Sequence, residues 1–362
     1  MSRVLRLDVG AAAAPRLTLF GTGTVGSAFV ARYQRLRTQG LELPSLAWLA
    51  NSRGVHDCRG GGIDAALEQA RAAPRARGAS PSSAEPTPLR AGDFVIDATA
   101  SDAVADRHAG WLQDGVHVVT ANKLGSGGEL VRAQAIIRAA HDSGARYGDS
   151  ATVGAGLPLL RSLRALLRGG ERIHRIEGVM SGSLAWLLSG FDGTQAFSQR
   201  LRQARDAGYT EPDPRQDLSG EDVRRKLLIL ARAASFALES HEVRVDSLLP
   251  PLLRTAPDGE AEARWPLLDE MLAQRLRQAE WDDCRLCFVG NFAPESGAEV
   301  GLRALPRSHP LCAGSGTDNR VAIWCDRYPN QPLLIQGPGA GAEVTAAALL
   351  DDVLESLTAD RS

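Results

Sequence analysis

The apolar residues of the first 150 positions come in short bursts set between helix-like spacings. "RLTLF" (16–20), "SLAWLA" (45–50), "FVIDAT" (94–99) and "HVVTA" (117–121) are near-continuous apolar runs of strand length. Such runs mark strands covered on both faces. Helical spacing fills 25–37, 62–72, 103–113 and 127–141. The alternation predicts a parallel sheet flanked by helices. After about residue 157 the rhythm changes. "RIHRIEGVMSGS" (172–183) reads as a strand entering a glycine turn, and two or three helices follow between 183 and 240. "RLCFVGNF" (285–292), "AEVGLRAL" (298–305), "NRVAIWCD" (319–326) and "PLLIQ" (332–336) predict antiparallel strands, and "AEVTAAALLDDVLESL" (342–357) an amphipathic helix. The second half is therefore expected to be α+β.

Length and composition narrow the class. At 362 residues with 44% apolar content, the chain has material for two or three cores. A net charge of −2 offers no basic surface for nucleic acid or anionic lipid. No run of 18 apolar residues is long enough to span a membrane. Asp8 interrupts the apolar core that a secretory signal needs, so a cytoplasmic location is expected. Five cysteines include a CxxC at Cys284 and Cys287 with no accompanying Cys or His cluster, which reads as structural thiols. There is no internal repeat. Residues 11–15 read as a loose lead-in, and 73–92, rich in Pro, Ser, Ala and Arg, as a long surface loop or disordered insertion.

The first chemical signature is "GTGTVG", with Gly21, Gly23 and Gly26 between a strand and a helix. This spacing suits a dinucleotide. Gly21 permits the tight turn, Gly23 lets the backbone approach a pyrophosphate, and Gly26 lets helix and strand pack closely. Thr24 and Val25, at the helix start, would present N–H groups to the anion. The second strand ends in Asn51-Ser52-Arg53, with no acid for a ribose diol. Arg53 could face a 2′-phosphate, which favours NADP over NAD, or it is a solvated loop residue.

The second signature is "YTEPDPRQDLSGEDVRRKLLIL" (209–230). Val223, Leu227, Leu230, Ala231 and Ala234 follow helical spacing, and Asp222 and Lys226 share a face one turn apart. Three readings stay open for Asp222. It is a helix starter in a Ser219–Asp222 capping box, half of an ordinary ion pair, or part of a site at the margin of the buried face. Glu211, Asp213 and Asp217 crowd the preceding turn, and Arg215 offsets only one of them. A substrate ammonium would be a natural counter-charge.

From residue 16 to about 357 the sequence resembles homoserine dehydrogenase. The resemblance rests on "GTGTVG", "HVVTANK" (117–123), "TVGAGLP" (152–158), "SGSL" (181–184), "GYTEPDPRQDLSGEDVRRKLLILAR" (208–232) and "QGPGAGAEVTAAAL" (336–349). It implies a Rossmann-type α/β nucleotide-binding domain, 1–155 with 338–362, and an α+β substrate and dimerisation domain, 156–337. It also implies oxidation of L-homoserine to L-aspartate 4-semialdehyde, or the reverse, with NADP or NAD. That reaction serves threonine, methionine and isoleucine synthesis, and the enzymes are homodimers that pair through the second domain's sheet.

Site residues follow from the same resemblance. The proton-handling lysine falls on Lys226, oriented by Asp222, with Lys123 near both cofactor and substrate. Glu211 would grip the substrate ammonium, and Asp217 would line the same pocket. Thr99 and Ser101 match the loop beside the nicotinamide ribose. Gly341 matches a cofactor-contacting glycine, so the last helix is expected to return to the first domain. His309 matches a histidine near the active site, or is a core or turn histidine. Family members bind Na⁺ through carbonyls that fall on Val153, Ala155 and Leu157, plus an acid whose position is Ser150 here. Neither an aspartate-kinase half nor a C-terminal regulatory domain is expected. Alternatives are another NAD(P)-dependent amino-acid or semialdehyde dehydrogenase, or a non-catalytic dinucleotide sensor.

Overall fold

The computed structural model describes residues 14–74, 88–314 and 316–359. The N-terminal segment, most of the 11–15 lead-in and the middle of the 73–92 loop lie outside the described residues.

Six strands form the first sheet: β1 (Arg16–Phe20), β2 (Ser45–Asn51), β3 (Gly54–Asp57), β4 (Phe94–Asp97), β5 (His117–Thr120) and β6 (Tyr147–Gly148), in the order β3-β2-β1-β4-β5-β6. Every pairing is parallel except β2 with β3. The expected parallel sheet thus carries an antiparallel edge. That edge strand, Gly-Val-His-Asp, has a single strongly apolar residue and gives no burst in the sequence. Lys123, after the fourth apolar burst of the sequence, consequently follows the fifth strand of the sheet. The predicted helices at 103–113 and 127–141 are each broken in two, at Asp106–Arg107 and at Gly128–Glu129.

The chain steps from β1 outward to β2, then returns to place β4 on the other side of β1. In a parallel sheet, a crevice opens above the strand ends where the order reverses. Leu17, Leu19, Ile96 and Val119 pack on one face against Phe29 and Tyr33 of the helix Thr24–Thr38. Ala346, Leu349, Leu350 and Val353 of the final helix, Ala342–Ala359, complete that core. Phe20, Val95 and Val118 face the other way, onto Trp111, Leu112 and Ile136.

The second sheet contains β7 (Ile173–Val179), β8 (Val243–Val245), β9 (Cys284–Ala293), β10 (Gly297–Pro306), β11 (Asp318–Cys325) and β12 (Tyr328–Pro338), ordered β12-β11-β7-β9-β10-β8. It is antiparallel, as expected, save for the short β8 lying parallel to β10. One face is covered by the helices Leu159–Arg168, Gly182–Ser189, Phe197–Asp206, Glu221–Ala233 and Leu267–Trp281. The first and last of these were not expected. In the last, only Leu268, Leu272 and Ala279 are buried among many charges, so its apolar stripe is thin. Among the described residues, no helix is long and apolar enough to cross a membrane.

Candidate active site

A cleft of about 460 Å³ opens at the strand-order reversal. Its walls are the glycine turn (Gly21, Thr22, Gly23), the end of β2 (Asn51, Ser52, Arg53), Ala70 and Arg71, and the loop after β4 (Ala98, Thr99, Ala100, Ser101). Gly21 has φ +95°, and a Cβ there would lie 2.7 Å from the Ala98 oxygen. A Cβ on Gly26 would overlap the Gly21 carbonyl, so helix and strand meet only because position 26 is bare. Nothing stands near the missing Cβ of Gly23, which leaves its backbone open to a ligand. Thr24 is exposed at the first helical turn, while Val25 leans into the core, so neither is a wall of the cleft. Asn51 is held by bonds from its Nδ2 to Thr22 Oγ1 and to the Ala70 carbonyl, both 2.8 Å. The Arg53 guanidinium donates to the Arg71 carbonyl, and Arg71 donates to Ser27 Oγ at 2.8 Å. Arg71 had no sequence signal. Its helix places it beside Arg53, which gives this end of the cleft two guanidinium groups. The glycine floor and cationic mouth fit a phosphorylated dinucleotide.

The two sheets meet where the loop after β5 packs on the helix Glu221–Ala233. Arg232, on that helix, donates to the carbonyls of Ser126 and Gly128, both at 2.7 Å. Asn122 anchors the loop from below. Its Nδ2 donates to Asp97 Oδ2 and to the Ser101 carbonyl at 2.9 Å, and its Oδ1 accepts from the Leu124 N–H at 3.1 Å. Lys123 is thereby held over the helix, with its Nζ 3.4 Å from Asp222 Oδ1. Asp222 Oδ2 meets Lys226 Nζ at 2.7 Å, and that ammonium also donates to the Met180 carbonyl at 2.7 Å. The capping-box reading fails, because the helix is capped by Gly220 in a left-handed conformation and Ser219 Oγ bonds the Gln216 carbonyl. The ordinary ion-pair reading fails as well. An exposed helix pair is worth about 0.3–0.5 kcal/mol, but Lys226 is 7% exposed.

Burial shapes the charges here. Loss of solvent lowers the Lys226 pKa, and the Lys123 charge lowers it further; Asp222 opposes both. Burial also works against the Asp222 carboxylate, yet the two ammonium groups override it and hold its pKa at about 2. Position 290 of β9 must be glycine for Met180 and Val223 to close in, since a Cβ would lie 2.7 Å from Met180 Cε. Asn319 donates to the same Met180 carbonyl at 3.4 Å. A Cβ on Gly339 would overlap the Asn319 side chain, so the C-terminal glycine segment runs past this junction. Met180 (through its carbonyl), Asn122, Arg232, Asn319 and Gly339 were all missed by sequence reasoning. Only proximity in the fold identifies them.

The acidic turn is split. Arg215 binds Asp213 with both carboxylate oxygens and also pairs with Asp258 at 2.6 Å. Asp217 turns inward. Ser183 donates to it at 2.6 Å and the Glu211 N–H at 2.9 Å. Burial raises the Asp217 pKa, and the charges of Glu211 and Asp222 raise it further. Glu211 itself is exposed. Glu211 and Asp217 therefore stand side by side, and Asp217 also feels the charge of Asp222.

Other expected positions lie elsewhere. Gly341 precedes the last helix, and neither it nor Gly339 is a wall of the cleft; Gly339 abuts Asn319 at the junction. His309 pairs with Glu177 at 3.1 Å and stacks near Trp324, on the sheet face opposite Lys226. The sodium site does not fit these residues. Ser150 spends both its N–H (2.9 Å) and its hydroxyl (2.7 Å) on Asp352 of the last helix. Asp149 is neutralised by Arg164 at 2.7 Å, and Asp352 is bound by Arg161 at 2.8 Å. The Leu157 carbonyl accepts from the Leu159 N–H at 2.8 Å. Guanidinium groups already balance both carboxylates.

The homoserine dehydrogenase family model matches residues 158–354, and the model of that family's NAD-binding domain matches residues 21–148. A homoserine dehydrogenase of Emericella nidulans is 36% identical over 274 residues, covering 72% of this chain and 74% of the relative. The chain belongs to the homoserine dehydrogenase family. The chloroplastic bifunctional aspartokinase/homoserine dehydrogenase 2 of Zea mays is 43% identical over 262 residues, 72% of this chain but 29% of that protein. The chain thus spans less than a third of the bifunctional relatives it matches. A crystal structure of a Candida auris protein of unknown function superposes with a TM-score of 0.82 at 31% identity, covering 95% of this chain and 98% of that one. Within the homoserine dehydrogenase family, members are NAD(P)-dependent oxidoreductases, and the glycine-floored cleft is the matching feature here.

Proposed function

We propose that this chain interconverts L-homoserine and L-aspartate 4-semialdehyde, using NADP in preference to NAD. The observation that carries the reading is Lys226, a buried ammonium held between Asp222 and a backbone carbonyl where the two sheets meet. Burial lowers its pKa, which favours the neutral amine that can accept a hydroxyl proton. Asp222 and the Met180 carbonyl fix the Nζ atom in place. Lys123 sits on the other oxygen of Asp222, close enough to polarise the reacting oxygen. Glu211 and Asp217 supply negative charge for an α-ammonium. Thr99 and Ser101 form the wall between cleft and junction, while Arg53 and Arg71 favour a 2′-phosphate at the far end. The bound nicotinamide exchanges hydride with the carbinol carbon.

The division of labour we infer assigns 1–155 with 338–362 to the cofactor and 156–337 to substrate binding and pairing of two copies through the second sheet. Family membership supports a place in threonine, methionine and isoleucine synthesis. Initial rates at 340 nm test the reading. L-Homoserine with NADP⁺ should give the fastest reduction among a panel of amino alcohols, with NAD⁺ slower. Faster turnover of a substrate lacking the α-ammonium would overturn it.

A further inference from the structure

The cysteines hold a thiol pair, but it is not the CxxC. Cys284 and Cys287 are three residues apart on β9, so their side chains point to opposite faces of the sheet. Cys284 packs against the large helical core, and Cys287 belongs to the apolar cluster of the other face, with Val179, Val289, Leu311 and Cys312. Cys287 instead meets Cys312, in the turn Pro310–Cys312. The two thiols act on each other electrostatically, and Cys312 Sγ also donates to the Leu305 carbonyl at 3.8 Å. They line one cavity of about 20 Å³ beneath the helix Gly182–Ser189, together with Arg285 and Arg320. Arg285 donates to the Cys312 carbonyl at 2.8 Å. Arg320 is 3% exposed, and its Nε has no hydrogen-bond partner. A buried guanidinium is costly unless anions reach it. Those that act on Arg320 are Asp318 and, once ionised, the thiols of Cys287 and Cys312.

We propose that Cys287 and Cys312 are a peroxide-reactive dithiol that closes to an intrachain disulfide. Contact with Cys287 lowers the Cys312 pKa, helped by Arg285 and Arg320 against the cost of burial. We place the attacking thiolate at Cys312, whose carbonyl Arg285 holds, and the resolving thiol at Cys287. The thiolate sulfur attacks one peroxide oxygen, the O–O bond breaks, and the departing hydroxide takes up a proton to become water. Cys312 is left as a sulfenic acid. The Cys287 sulfur then displaces the hydroxyl from Cys312, its proton leaves with that hydroxyl as a second water, and the S–S bond forms. Two thiols lose two electrons to one hydrogen peroxide. Cavity size selects the oxidant. A space of about 20 Å³, little more than one water molecule needs, favours an oxidant as small as hydrogen peroxide and excludes a tripeptide disulfide.

Thiol counting on the intact, reduced protein tests this without any activity assay. After stoichiometric hydrogen peroxide, two of the five cysteines should become unreactive to alkylation in denaturant. Peptide mapping should show Cys287 linked to Cys312 and lighter by two hydrogens, with recovery on dithiothreitol. Cys312→Ser should retain its remaining thiols. Cys287→Ser should leave Cys312 as a sulfenic acid that dimedone traps, while Cys284→Ser should behave like the parent. A Cys284–Cys287 link, unchanged thiol numbers, or oxidised glutathione outpacing peroxide would each overturn the proposal.

Discussion

The cleft above β1 and β4 takes its floor from one hexapeptide, Gly21 to Gly26. The Lys226 junction instead gathers single groups from five separate segments: Lys123, Met180, Asp222 with Lys226, Asn319 and Gly339. The first is a local device, in which strand, bare turn and helix start are consecutive. The second exists only once two sheets have docked, through Arg232 on the Ser126 and Gly128 carbonyls. Damage to the two should therefore look different, in binding for one and in chemistry for the other.

The largest effect is expected at the junction. Lys226→Ala should lower kcat by about 10²–10⁴-fold, the usual range for a lost proton-transfer group. NADP affinity, measured by fluorescence titration, should stay near that of the parent. A large loss of cofactor binding in this variant would erase the distinction between the two regions. Next comes Gly26→Ala. Its Cβ would overlap the Gly21 carbonyl, so the variant should lose about 1–3 kcal/mol of stability by denaturant titration and much of its NADP binding. Arg53→Ala should raise the KM for NADP by about tenfold, the equivalent of one charge-assisted hydrogen bond, while sparing NAD. An equal loss for both cofactors would remove Arg53 from 2′-phosphate recognition.

The subtlest test is a pH profile. If neutral Lys226 is the base, the acid limb of log kcat reports its pKa. Asp222 raises that pKa, so Asp222→Asn should move the limb to lower pH. A limb that moves upward would contradict the assigned charge balance. The folded protein's own acid sensitivity has the opposite origin. The Asp222 pKa falls from 3.8 to about 2 in the fold. Its stabilising contribution is complete above about pH 4 and is lost as pH drops towards 2.

The same contrast explains what could be read from the chain. Buried parallel strands announce themselves as apolar bursts, and the glycine turn as a fixed spacing, so β1, β2, β4 and β5 and the cleft's glycines were legible. Lys226 and Asp222 were legible as a pair, but their environment was not. The burial that lowers Lys226 comes from Met180 and its neighbours, 46 residues away in sequence. Ser150 was legible as a departure from a sodium-binding pattern. That Asp352 occupies both its polar groups, 202 residues away, was not. Arg71 and Asn122 lie beside motifs without belonging to one. His309 shows the converse case: of its two readings, a histidine near the site or a turn histidine, the fold supports the second, pairing it with Glu177 across the sheet from Lys226.

The helix Ala342–Ala359 has an implication for how the molecule is made. It backs the core of the first sheet, with Ala346, Leu349, Leu350 and Val353 beside the helix Thr24–Thr38 and over β5 and β6, and Asp352 latched to Ser150 and Arg161. The nucleotide half therefore stays unfinished during synthesis until residues 342–359 emerge, although its strands are made first. The intervening sheet has time to fold alone, and an interrupted translation product would carry the glycine turn without the wall that supports it.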